Sequence, residues 1–212
     1  MPENQIITSY SQYLDDNLYT PLEALSGLPY QLRFFRVGSI VLLQEGPYTS
    51  TILERRSYSR DASWFSFQIS FLNHGIEDAG WLLRSKASFF LVYCPYSTTE
   101  GGEPTVIRAM LIPRQRLFQT LEACGFNRTI LAGRADLIRR GGKGGIFRTA
   151  DPDISFNFRA EGEHRPVEVR IQTPVLEKIA VGDFTISIGD SQAPLRGKWL
   201  GREIFVERGI KS

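Results

Sequence analysis

Trp64-Phe65-Ser66-Phe67-Gln68-Ile69-Ser70-Phe71 settles the class of architecture. Aromatic and β-branched residues alternate with polar ones, the period of two that divides a strand between two faces. An amphipathic helix would space its apolar residues three and four apart instead. Beyond it, Phe89-Phe90-Leu91-Val92-Tyr93 is an unbroken apolar run and predicts a strand buried on both sides. Val106 to Ile112 predicts another strand. Pro113 then opens a helix with Leu117, Leu121 and Phe118 on its apolar stripe and Gly125 as its C-cap.

Working back toward the N-terminus, Leu32 to Leu43 is apolar-rich and broken by Gly38-Ser39, which predicts strand, turn, strand. Gly46-Pro47 marks a turn, and Ser50 to Ser59 a strand charged at its end. Thr20-Pro21-Leu22-Glu23 supplies an N-cap, a proline in the first turn and an acidic residue, so a short helix is expected through Leu25, ended by Gly27 and Pro29. Toward the C-terminus, alternation returns at Ile154-Phe156-Phe158, Val167-Val169-Ile171, Phe184-Ile186-Ile188 and Trp199-Ile204-Val206.

Residues 126–150 differ from the rest. Arg128, Arg134, Arg139, Arg140, Lys143 and Arg148 face a single Asp136, a local charge of +5 in a chain whose total is +2. The run Arg139-Arg140-Gly141-Gly142-Lys143-Gly144-Gly145 predicts a flexible loop. Its glycines allow close approach to phosphates, and Arg139, Arg140, Lys143 and Arg148 would bind them without reading sequence. It lacks the phosphate-loop pattern, because Gly144 follows Lys143. The plain alternative is a soluble linker. The expected organisation is an N-terminal helical segment (1–30), a core (31–125), a basic glycine-rich linker (126–150) and a β-rich module (151–212). The expected fold class is α+β.

Composition excludes several classes. The 212 residues are 42% hydrophobic and 23% charged, which excludes global disorder and a coiled-coil chain. No stretch approaches the ~18 apolar residues that span a bilayer, and the polar N-terminus is unlike a secretory leader. A cytoplasmic protein with no membrane partner is expected. Two cysteines, Cys94 and Cys124, and two histidines, His74 and His164, make neither a disulfide framework nor a zinc cluster. The cysteines read as packing residues and His164 as a turn residue. His74, beside Glu77 and Asp78, is a minor candidate base or ligand. The many aromatic residues read as core before base-stacking platforms.

Gly80-Trp81-Leu82-Leu83-Arg84-Ser85-Lys86-Ala87-Ser88, the strand Phe89 to Tyr93, and Ala109-Met110-Leu111-Ile112-Pro113-Arg114-Gln115-Arg116-Leu117 follow one another in a suggestive order. The block from about residue 33 to 122 resembles the phage- and plasmid-type branch of the PD-(D/E)XK, or restriction-endonuclease-like, nucleases. That resemblance implies a mixed-sheet nuclease core with Gly-Asp-Ile on one strand, E-x-K on the next and a following strand ending in Glu. In active members two carboxylates hold Mg²⁺. The metal activates a water and stabilises charge on the phosphate, and the lysine orients the nucleophile.

The chain departs from this pattern at the positions that carry chemistry. Gly38-Ser39-Ile40 stands for Gly-Asp-Ile, Glu54-Arg55-Arg56 for E-x-K, Gln68 for the later Glu, and Ser88 for the Asp of Lys-Ala-Asp. Serine cannot replace a carboxylate ligand, and an arginine at position 56 stays protonated. Glu45, Asp61, Glu77 and Asp78 are the carboxylates from which a migrated ligand could come. The resemblance therefore implies a degenerate nuclease fold without a cofactor. It would bind DNA ahead of RNA along the backbone, as a subunit of a larger phage, plasmid or defence assembly. Glu54, Arg55 and Arg56 would line the remnant cleft, with Glu54 and Arg56 as the catalytic remnant. The rival expectations are an active Mg²⁺-dependent DNA endonuclease centred on Glu54, and an interaction subunit that never touches nucleic acid.

Overall fold

The computed structural model describes residues 10–25, 31–38, 40–59, 61–189 and 193–207. Ser39 lies outside the described residues, as do Gly27 and Pro29. The fold is α+β and mostly strand. One sheet has eight strands in the order β1 (Leu32–Val37), β2 (Ile40–Glu45), β3 (Tyr48–Arg56), β6 (Phe89–Tyr96), β7 (Val106–Pro113), β11 (Gly182–Ser187), β12 (Leu195–Trp199), β13 (Arg202–Val206). The other has five: β5 (Ile76–Ala79), β4 (Trp64–Asn73), β10 (Val167–Gln172), β9 (Ile154–Phe158), β8 (Gly145–Arg148). Neighbours run antiparallel except β3 and β6, which are parallel. A parallel pair needs a long crossover. Here the crossover contains the β4–β5 hairpin and the short helix α2 (Trp81–Arg84).

The period of two sends alternate residues of the large sheet into two cores. Leu53, Phe90, Val92, Met110 and Ile112 join the apolar face of the small sheet, including Phe65, Phe67, Phe156 and Val169. Ile52, Leu91, Tyr93, Ala109 and Leu111 join the opposite cluster, under Leu14, Leu18, Tyr19 and Leu22. Strand β6 is thus buried on both faces, as its unbroken apolar run predicts. The strand expected at Trp64–Phe71 lies within β4, with Phe65, Phe67 and Ile69 inward. The helix after Pro113 is α3 (Arg114–Ala123), with Leu117 and Leu121 buried.

The N-terminal helix, α1, is longer than expected and covers residues 10–23. Thr20 is not its N-cap but sits inside it in right-handed helical geometry. A proline in a helix interior has no N–H to donate and crowds the carbonyl four residues earlier. Here Pro21 follows a wider π-turn over Asp15–Tyr19, which makes room for the ring. At the helix end, Glu23 accepts the Phe34 N–H at 2.6 Å and fixes α1 to β1.

The basic segment is not a linker. Residues Arg128–Arg140 form a helix, α4, capped by Asn127, whose side chain accepts the Ile130 N–H at 2.9 Å. Leu131, Ala135 and Ile138 lie on its buried face, so the arginines project from an ordinary amphipathic helix. The glycines after Arg140 end it and lead into β8. The C-terminal strands do not gather into one module either. Strands β9 and β10 complete the small sheet against β4, while β11, after the short helix α5 (Thr173–Glu177), extends the large sheet beside β7. Among the described residues no helix is long and apolar enough to cross a membrane.

Candidate nucleic-acid interface

Strand β3 presents Glu54 and Arg55 to opposite sides. Glu54, only 4% exposed, lies under α1. Both its oxygens are engaged by one guanidinium: Arg36 Nη1 donates to Oε2 at 2.6 Å and Nη2 to Oε1 at 2.8 Å. The Tyr19 hydroxyl adds a third bond at 2.7 Å. The remaining edge of Arg36 is taken by Asp15, with Nε at 2.7 Å and Nη2 at 2.6 Å. Burial alone would lower the Arg36 guanidinium, but the hydrogen bonds to Asp15 and Glu54 outweigh it and raise it above the ordinary arginine value. Burial and the Glu54 carboxylate hold the Tyr19 phenol well above its usual range.

Two carboxylates on neighbouring elements are what a divalent cation needs. Here the space between them holds a guanidinium. The residues at Glu54 therefore do not fit Mg²⁺: its ligand oxygens are committed to a fixed cation of the chain itself. Among the described residues no group of three or more His, Cys, Asp or Glu side chains lies close enough to hold a metal. His74, Glu77 and Asp78 also part company. His74 occupies the β4–β5 turn at positive φ, Glu77 accepts from Ser70 Oγ at 2.6 Å, and Asp78 accepts from Arg84 at 3.1 Å. Ser88 is structural, its N–H donating to Thr51 O at 2.9 Å where β6 begins beside β3.

At the end of β3 the chain opens a groove of about 590 Å³. Its cations are Arg55, Arg56, Arg84, Arg159 and Arg165, against Glu161, Glu163 and Glu168. Tyr58, Phe71 and Trp81 supply aromatic walls, and Gln68 faces the same space. The arginines stack on these rings: Arg56 on Tyr10 and Tyr58, each 4.9 Å from the centroid, Arg84 on Phe71 at 5.6 Å, and Arg55 on Trp81 at 5.9 Å. Such stacking holds a guanidinium plane while leaving its N–H edge for an acceptor. Two of the five are also ion-paired, Arg84 with Asp78 at 3.1 Å and Arg159 with Glu168 at 3.3 Å. Among the described residues Arg55 forms no ion pair; it donates to the main-chain carbonyl of Glu54, and burial lowers its guanidinium below the usual value. Gly80 seats the wall: a Cβ there would lie 2.3 Å from the Gln68 carbonyl oxygen, so only glycine lets α2 bring Trp81 against Phe67.

The structure thus brings Arg55, Arg56 and Gln68 together and turns Glu54 away from them. It also separates the basic residues of 126–150. Arg139 is a packing residue, donating to Ser70 Oγ at 2.6 Å and Arg165 O at 2.9 Å, with Glu77 3.4 Å away. Arg140 pairs with Asp136 one helical turn back at 2.8 Å. Lys143 is exposed beyond the helix end. Arg148 lies on β8, at a second cavity on the outer face of the small sheet. Sequence reasoning missed Arg36, Arg84, Arg159 and Arg165. No spacing marks them, because their roles come from strands and loops that meet only in the fold.

No family model, no curated protein and no solved structure matches this chain.

Proposed function

We propose that this chain binds the nucleic-acid backbone, DNA ahead of RNA, through the arginine–aromatic groove at the end of β3. In this reading it is a nuclease-like core that no longer cleaves and serves as a subunit of a larger assembly. The observation that carries it is Arg55, a largely buried cation with no carboxylate partner among the described residues, beside Arg56 and Arg84 held on aromatic rings and Arg159 and Arg165 in the same groove. Burying an uncompensated charge is costly, and a phosphodiester entering the groove would supply the missing anion. Support for the nuclease-like reading is the antiparallel pairing of β2 with β3, with Ile40 opposite Leu53. That pairing puts the strand that begins at Ile40 beside the Glu54 strand, the order the resemblance implies. Against catalysis stands Arg36, occupying both oxygens of Glu54.

The test is fluorescence anisotropy with labelled duplex DNA and RNA across a salt series. Binding should weaken with salt, and Arg55→Ala with Arg159→Ala should flatten the log–log slope by about 2, roughly one unit per lost phosphate contact. Plasmid incubated with Mg²⁺ or Mn²⁺ should stay intact. Cleavage that disappears in Glu54→Ala would establish the rival endonuclease. Absence of nucleic-acid binding at low salt, with a fixed protein partner copurifying, would establish the interaction subunit.

A further inference from the structure

The outer face of the small sheet carries a second, differently built site. Arg148 on β8 stands opposite Ser155 on β9, and Ser155 stands opposite Arg170 on β10. Residues directly opposite in a ladder share a face. The three side chains therefore form a row, arginine, serine, arginine, across three strands. Adjacent strands are ~4.8 Å apart, so the two arginines rise from backbones ~10 Å apart with the serine midway. The row opens into a cavity of about 600 Å³, walled on one side by Trp64 and on the other by the turn at 149–152.

Two features of the row are unexplained by folding. Ser155 is 5% exposed, and its hydroxyl is buried without a hydrogen-bond partner. An unpaired buried hydroxyl costs about 1–3 kcal/mol. Among the described residues the arginines beside it form no ion pair: Arg170 lies over the Trp64 ring at 4.9 Å, and burial lowers its guanidinium below the usual value. The nearest acid along the strand, Glu168, is committed to Asn157 and Arg159. Asp151, the one carboxylate among the described residues that line the cavity, accepts the Asp153 N–H at 2.9 Å.

We propose that this cavity is a binding site for a phosphate monoester, seated over Ser155 between the forks of Arg148 and Arg170. Two guanidiniums and a hydroxyl offer donors from three directions, which suits the three terminal oxygens of a tetrahedral phosphate better than the two of a carboxylate. Arg148 is exposed on the edge strand β8, so its side chain swings aside to admit the ligand. The phosphate gives the Ser155 hydroxyl the acceptor it lacks. Trp64 beside the row offers a stacking surface for a ring attached to the phosphate. A free mononucleotide and the 5′-phosphate end of a strand share this chemistry. The site stands apart from the β3 groove and does not depend on it.

Isothermal titration of the full chain with inorganic phosphate, with AMP, and with a short oligonucleotide bearing either a 5′-phosphate or a 5′-hydroxyl tests this. Phosphate and AMP should both bind. Arg148→Ala with Arg170→Ala should weaken both by at least ~10-fold, one lost charge-assisted bond being worth that much. Arg148→Gln, a change on an exposed edge, provides the same comparison if the double variant is poorly folded. Arg55→Ala with Arg159→Ala should leave phosphate affinity unchanged. A preference for the 5′-phosphorylated strand, lost in the Arg148 variant, identifies the strand end as the source; equal binding of both strands with retained AMP affinity identifies the mononucleotide. Absence of phosphate and AMP binding up to roughly 10 mM, or equal affinity in wild type and the Arg148 variants, overturns the proposal.

Discussion

Glu54 and Arg55 are neighbours in the chain, yet the two sides of β3 handle charge in opposite ways. On the Glu54 side each charged group touches an opposite one: one guanidinium spans two carboxylates, and a phenol closes the set beneath α1. On the Arg55 side cations outnumber acids and lean on aromatic rings. The first arrangement holds the fold and has nothing left to offer a ligand. The second is stable enough to persist but holds fewer anions than cations. Residue type does not separate them, since both are built from arginine, glutamate and tyrosine. What separates them is whether each charge finds its complement inside the chain.

The comparison can be broken most severely at Glu54. Replacing it with alanine leaves Arg36 with Asp15 alone and strands a buried phenol, and should cost about 2–3 kcal/mol in urea unfolding, while groove variants such as Arg55→Ala should cost far less. The closed side should also fail selectively in alkali. Burial and then Glu54 push the Tyr93 phenol up to about 12. A folded value above the unfolded ~10 means the stabilisation is complete below pH ~10 and lost as pH rises toward 12. The loss should reach about 2 kcal/mol and shrink in Tyr93→Phe, as read from denaturation curves at successive pH values.

A finer cut falls between two adjacent helix residues. Arg139→Ala removes bonds to Ser70 and the Arg165 carbonyl and should destabilise by about 1–2 kcal/mol. Arg140→Ala removes an exposed pair with Asp136 and should change stability by less than about 0.5 kcal/mol. If the two proved equal in thermal melts, the distinction between a packing and a solvated arginine in α4 would collapse.

Much of the strand content was legible because period-two alternation is local. Trp64–Phe71, Phe89–Tyr93 and Val106–Ile112 each lie within an observed strand. Strand partners are not local. Nothing in Val167-Val169-Ile171 says that it pairs with β4, a hundred residues earlier, rather than with its own C-terminal neighbours. Helix α4 was legible in principle: Leu131, Ala135 and Ile138 keep helical spacing and Asn127 is a good cap. The arginines and the following glycines hid that pattern. At the candidate site, Arg55 and Arg56 could be singled out from their strand end. Their companions Arg84, Arg159 and Arg165 could not, since a turn, a crossover helix and a strand pairing bring them there. Glu54 was the position where local pattern misled most, because its partner Arg36 and the covering α1 come from elsewhere in the chain.

Strand β11 lies beside β7 and supplies Ser187, whose carbonyl accepts the hydroxyl of Tyr13 from α1. One of the first described helical residues is thus anchored to a strand 174 residues later in the chain. Until residues 182–187 emerge, β7 is a bare sheet edge and the core beneath α1 lacks Phe184 and Ile186. A nascent chain in that condition offers an open β-template to its neighbours. The closure of the large sheet is therefore a long-range event, of the kind that slows folding and leaves it sensitive to crowding.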